Sequence, residues 1–104
     1  MEDRQSDRIH PEHVVLDIGV GAGALILYTA PDLLGHEIEI SQTGQPRTHT
    51  EVLERRMDGR PVFAAVYASL PEGHYRIWGY DDKPVTEFDI VGGQVAEVDW
   101  RTED

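Results

Sequence analysis

Glu87, Asp89, Glu97 and Asp99 occupy alternate positions in two short segments, residues 85–91 and 95–100. In an extended chain alternate side chains share a face, so these four carboxylates can form an acidic ladder if the segments pair. Like charges directly opposed destabilise a sheet, so a ladder of this kind calls for a counter-charge. Arg76 on the preceding segment could lie across it as a solvated ion pair, or a cation or basic partner could complete it. Trp78 shares the parity of His74 and Arg76, opposite to Tyr75 and Ile77. If Tyr75 and Ile77 face a core, Trp78 is exposed beside the charged face, where an indole suggests contact. The expected binding residues are therefore Glu87, Asp89, Glu97, Asp99, Arg76 and Trp78.

The five histidines offer a second chemistry. His10 and His13 have a spacing that metal ligands use, and His36 and His49 could join them with carboxylate help. That set would serve a small metal-assisted hydrolase, which is the alternative reading. No cysteine and no helical His-x-x-x-His pair supports it, so no metal is expected. Ser6, Ser41 and Ser69 lie outside any Gly-x-Ser-x-Gly elbow, and Ser41 and His36 point to opposite faces of one strand. No catalytic residue is assigned.

The stretch Val15-Leu-Asp-Ile-Gly-Val-Gly-Ala-Gly23 resembles the first motif of S-adenosylmethionine-dependent methyltransferases. That motif needs a strand, a glycine turn and then a helix. Here the glycines precede Ala24-Leu-Ile-Leu-Tyr-Thr29, which has the look of a strand. The glycines are then a connection between two strands, and no cofactor is expected.

The elements that must position these residues have a period of two. Strands are predicted at 13–18, 24–29, 36–41, 48–57, 60–69, 73–79, 85–91 and 95–100, with turn signals between most of them. Residues 24–29 form a continuous apolar run, as expected of a strand buried on both faces. Asp58-Gly59 between two β-type runs predicts a tight hairpin. The one helical turn expected lies around Asp32-Leu33-Leu34, with Asp32 as cap and Gly35 as stop. A three-residue loop, Gly92-Gly93-Gln94, would pair Ile90 with Ala96, Phe88 with Val98 and Thr86 with Trp100. That register gives one apolar face and sets Glu87 opposite Asp99 and Asp89 opposite Glu97. The predicted core holds Val14, Leu16, Ile18, Leu25, Leu27, Ile38, Ile40, Val52, Phe63, Ala65, Tyr75, Ile77, Phe88, Ile90 and Val98. The fold class expected is all-β, a small antiparallel β-sandwich of about 7–8 strands. Residues 1–12 are expected to be a disordered arm, 13–101 a single domain and 102–104 a tail.

With 104 residues the chain suffices for one domain, and a chain of this size buries roughly two-thirds of its unfolded surface. Twenty acidic against nine basic residues give a net charge of -11. Such a chain is repelled by phosphate backbones and anionic lipid, which argues against nucleic acid and membranes as partners. Basic proteins or self-association remain. Without cysteine and without an apolar leader, the expected compartment is the cytoplasm.

Leu70-Pro-Glu-Gly-His-Tyr-Arg-Ile-Trp78 follows an apolar strand, and Leu-Pro-x-Gly-x-Tyr in that setting resembles the transthyretin-like, or carboxypeptidase-regulatory-like, β-sandwich domains. Residues 85–98 are similar to the last two strands of that group. The resemblance implies a prealbumin-like sandwich in which Pro71 and Gly73 turn the chain between sheets and Tyr75 returns its hydroxyl to backbone. Pilin-type members form a Lys–Asn isopeptide bond, which cannot form in a chain without asparagine. Hydroxyisourate hydrolases end in Tyr-Arg-Gly-Ser, a motif this sequence lacks. The resemblance therefore implies a non-catalytic module for binding or assembly.

Overall fold

A computed structural model describes residues 16–79 and 84–101. Among these residues the chain forms eight strands: β1 (Ala22–Thr29), β2 (Glu37–Gln42), β3 (Thr48–Glu51), β4 (Leu53–Met57), β5 (Arg60–Pro71), β6 (Gly73–Trp78), β7 (Pro84–Ile90) and β8 (Val95–Asp99). They make two four-stranded sheets, ordered β4-β5-β1-β8 and β3-β2-β6-β7. All pairings are antiparallel except β1 with β8. The molecule is the small all-β sandwich that the period-two pattern predicts. A 3-10 turn, Pro31–Leu33, is the only helical element among the described residues.

β1 explains the continuous apolar run. Leu25 and Leu27 enter the core between the sheets, while Ile26 packs outside with Ala64 and Val66 against Leu16, Tyr28, Met57 and Val95. Ala24, Leu25, Ile26 and Leu27 are all fully buried. The inner core adds Ile38, Ile40, Val52, Ala65, Tyr67, Leu70, Tyr75, Ile77, Phe88 and Ile90, with Phe63 and Val98 packed against it. Tyr75 and Phe88 stack at 5.3 Å between ring centroids. The hairpin from β4 to β5 turns at Asp58 (φ 55°) and Gly59 (φ 76°), two left-handed residues as a type I′ turn requires.

Three expectations change. The strand predicted at 48–57 is two strands in different sheets, because the chain crosses over at Val52. Its amide donates to the His36 carbonyl and its carbonyl accepts from the Gly35 amide, so its bonds go to the preceding turn rather than to either ladder. The strand predicted at 13–18 is absent over 16–18, and 13–15 lie outside the described residues. Only the Asp17 amide bonds to β5, at the Ala68 carbonyl. Leu16 consequently packs on the outer cluster instead of between the sheets, Ile18 is half-buried, and Val14 is outside the described residues.

The third change concerns the last pair of strands, which do not form a hairpin. β7 pairs with β6 (Tyr75 opposite Phe88, Arg76 opposite Glu87), whereas β8 pairs with β1. The inferred apolar parity survives, since Phe88 and Ile90 face the core and Ala96, Val98 and Trp100 pack against it. These residues meet across the sandwich, however, and Trp100 Nε1 donates to Thr86 Oγ1 at 3.2 Å. The predicted arm at 1–12 and tail at 102–104 lie outside the described residues.

Candidate functional site

Separating β7 from β8 dismantles the acidic ladder. Glu87 and Asp89 point outward from the β7 sheet, and Glu97 and Asp99 point outward from the other one, so the carboxylates lie in two pairs on opposite faces. Each pair has its own counter-charge. On the first face, His74 stands opposite Asp89 in the β6–β7 register. Its Nδ1 lies 2.8 Å from Asp89 Oδ1 and its Nε2 2.7 Å from Glu87 Oε1. An imidazole can donate from both nitrogens only when protonated. The hydrogen bond to Asp89, and then that to Glu87, hold its pKa above the usual histidine value. Arg76, the expected counter-charge, approaches Glu87 only at 3.8 Å through Nε. His74 is therefore the nearer cation, a role its shared parity with Arg76 could have signalled.

On the second face, Arg101 forks onto Asp99 with Nε at 2.9 Å and Nη2 at 2.7 Å. These bonds hold the Asp99 carboxyl below the usual carboxylate range. The same guanidinium lies 4.7 Å over the Tyr28 ring, and the Tyr28 hydroxyl reaches Glu97 at 3.4 Å. The adjoining hollow of about 410 Å³ is walled by Tyr28, Arg60, Glu97 and Arg101 among others.

A different arrangement lies at the end of the sandwich. A cleft of about 350 Å³ opens between Leu33, the start of β2 (Glu37, Ile38, Glu39), Trp78 at the end of β6, Gly79 after it, and Trp100. It brings together both tryptophans of the chain. The regular β2–β6 register places Trp78 opposite Glu39, with the parity of Arg76 and so on the outer side of its sheet, and the β6–β7 ladder shifts register between Ile77 and Trp78. Its Nε1 donates to Ser41 Oγ at 2.9 Å, as that of Trp100 does to Thr86. Both rings are thus held by their polar edges. Arg47 enters from the far side of the β2–β3 loop, where Gly44 (φ 78°) allows the turn. Its Cζ sits 4.0 Å from the Trp78 ring centroid and its Nη1 2.8 Å from Glu39 Oε1. Glu37 faces Glu51 across β2–β3, a like-charge pair at the cleft's edge.

Of the sequence candidates, only Trp78 belongs to this cleft. It is half-buried rather than exposed, beneath Arg47. Glu37, Glu39 and Trp100, which line the cleft, and Arg47, which lies against Trp78 and Glu39, were not singled out, and the acidic Glu-x-Glu alternation of β2 was the legible signal. His49 lies opposite Glu39 with Nε2 3.8 Å from Glu37 Oε2, and the His36 amide donates to the Leu33 carbonyl. His10 and His13 lie outside the described residues. Among the described residues no three His, Asp or Glu side chains are gathered as a metal would need.

The glycine motif, whose last residues Ala22 and Gly23 already belong to β1, leads into that strand and not into a helix. Gly19 bridges to Ala22 around a tight turn. A Cβ at Gly23 would stand 2.6 Å from the Val91 carbonyl oxygen and 2.8 Å from that of Gln94, so this glycine is explained by backbone packing. No helix among the described residues is long and apolar enough to cross a membrane. Comparison with protein-family models, curated proteins and solved structures finds no match for the chain.

Proposed function

We propose that this chain is a non-catalytic β-sandwich module that binds a protein partner at the two-tryptophan cleft. The observation that carries the reading is the convergence of Trp78 and Trp100 on one open cleft, each ring fixed by its Nε1 bond. Pre-positioned aromatic side chains are the residues that most often dominate binding energy at interfaces. A separate partner is favoured over a second copy, because two chains each carrying a charge of -11 repel. An acidic chain without cysteine suits the cytoplasm, which we take as its compartment. We also retain the transthyretin-like assignment. It is supported by the Leu-Pro-x-Gly-x-Tyr turn from β5 to β6, where the Tyr75 hydroxyl donates to the Pro71 carbonyl at 2.6 Å.

Intrinsic fluorescence reports on this site alone, since the chain has no tryptophan elsewhere. Titration with short acidic, neutral and basic peptides should give a saturable change in tryptophan emission. The indole N–H signals of Trp78 and Trp100 should shift in parallel in NMR spectra. If no peptide produces a saturable change, or if the shifts map to the Tyr28–Arg101 hollow, the cleft is not the binding site.

A further inference from the structure

Resting on the cleft reading, we infer that the cleft recognises an arginine side chain of a basic protein segment and that Arg47 occupies that position in the free chain. Three features of the wall specify the ligand. Trp78 offers an aromatic face that already carries a guanidinium at 4.0 Å, the geometry in which a planar cation is attracted by the ring quadrupole. Glu39 supplies a carboxylate on the same wall, 2.8 Å from Arg47 Nη1, and Glu37 lies beside it on the cleft's rim. Trp100 and Leu33 line the same cleft with apolar surface, suited to the methylene stem of a long basic side chain.

Guanidinium fits this setting better than ammonium because it stacks flat on an indole and is more weakly hydrated. A chain with twenty acidic residues would also draw a basic segment toward the cleft before contact. Arg47 is poised to yield its place. It sits in the segment between β2 and β3, its side chain is 34% exposed, and its partner Glu39 is 45% exposed. An arriving arginine would replace one guanidinium by another on the same ring and carboxylate, and the loop side chain would move into water. Arg47 is thus a competitor built into the fold. An exposed ion pair and a cation–π contact together favour the seated competitor by roughly a factor of ten, which lowers the apparent affinity about tenfold.

The test uses the full chain and an acetylated, amidated pentapeptide with one central arginine, followed by tryptophan fluorescence. Arg47→Ala should bind the peptide about tenfold more tightly than the wild type. Arg60→Ala removes the same charge from the other sheet and should bind as the wild type does. The same peptide with citrulline for arginine should not saturate either protein. Equal or weaker binding by Arg47→Ala overturns the inference, as does an equal gain in Arg60→Ala, which would assign the effect to net charge. If other peptides saturate the cleft but the arginine peptide does not, this inference falls and the cleft reading stands. If no peptide binds either protein, both fall together.

Discussion

Tyr67→Phe removes a hydroxyl that joins the two sheets. Tyr67 stands on β5, is 6% exposed, and its hydroxyl donates to the Ile38 carbonyl on β2. The substitution keeps the ring and its packing, so no cavity term enters. A typical intramolecular hydrogen bond contributes about 0.5–1.5 kcal/mol net, and a buried acceptor left without its donor raises the cost toward about 1–3 kcal/mol. We expect a loss of about 1–2 kcal/mol. Tyr75→Phe is the internal comparison, because its hydroxyl returns only four positions along the chain to Pro71, in a partly buried setting. Water can replace that bond, and about 0.5–1 kcal/mol should be lost. For a domain of this size each kcal/mol moves the melting temperature by about 4–8 °C, so the two variants separate in a thermal scan. Urea unfolding should give the same order with an unchanged slope. Burial also pushes the Tyr67 phenol well above its usual value. The folded state therefore holds that proton more tightly, and its stabilising contribution is lost as pH rises beyond the ordinary tyrosine range. Tyr67→Phe should remove that alkaline loss. A cost no greater than that of Tyr75→Phe would refute the claim that this hydroxyl bolts the sheets together.

Gly23→Ala should destabilise by about 1–3 kcal/mol through overpacking against two carbonyls, whereas Gly19→Ala, with nothing within 4 Å, should be near neutral in the same denaturation assay. Phe88→Ala removes a ring 9% exposed and stacked on Tyr75, and should cost about 3–5 kcal/mol by chemical denaturation. His74 is stabilised in its charged form by Asp89 and Glu87, so its contribution is full below the usual histidine pKa of 6.5 and fades as pH rises through its raised folded value. Unfolding of the wild type and His74→Ala across that range should show the wild-type advantage shrinking toward alkaline pH.

The parts legible in the sequence were those fixed by local chemistry. A continuous apolar run from Ala24 to Tyr28 implied burial on both faces, and β1 has core on one side and Ile26, Ala64 and Val66 on the other. Asp-Gly at 58–59 dictated the turn because few other residue pairs adopt two positive φ angles without strain. Alternation over 86–90 and 96–100 correctly identified which side chains face inward. It carried no information on whether their partners lie beside them in a ladder or across the core, because both arrangements bury the same residues. The acidic ladder failed at that step. The crossover at Val52 was invisible because no glycine or proline marks it. The cleft was only partly legible, since Glu37 and Glu39, Arg47, Trp78 and Trp100 come from four segments; the β2–β6 pairing brings Glu39 to Trp78, and Trp100 arrives beyond the end of β8. Parity alone singled out Trp78.

The parallel pairing of β1 with β8 bears on the order in which the chain can fold. β2–β3, β4–β5 and β6–β7 join neighbours in sequence and can form early. β1 has no such neighbour. Its partners on β5 lie roughly forty positions downstream and those on β8 about seventy, separations that slow pairing through the entropy of closing long loops. Until both arrive, Leu25, Ile26 and Leu27 have neither ladder partners nor a covered face. A strand with two open edges and an apolar run is a template for intermolecular pairing. Aggregation during refolding should therefore start at β1, and an added charge there would suppress it only by sacrificing the core.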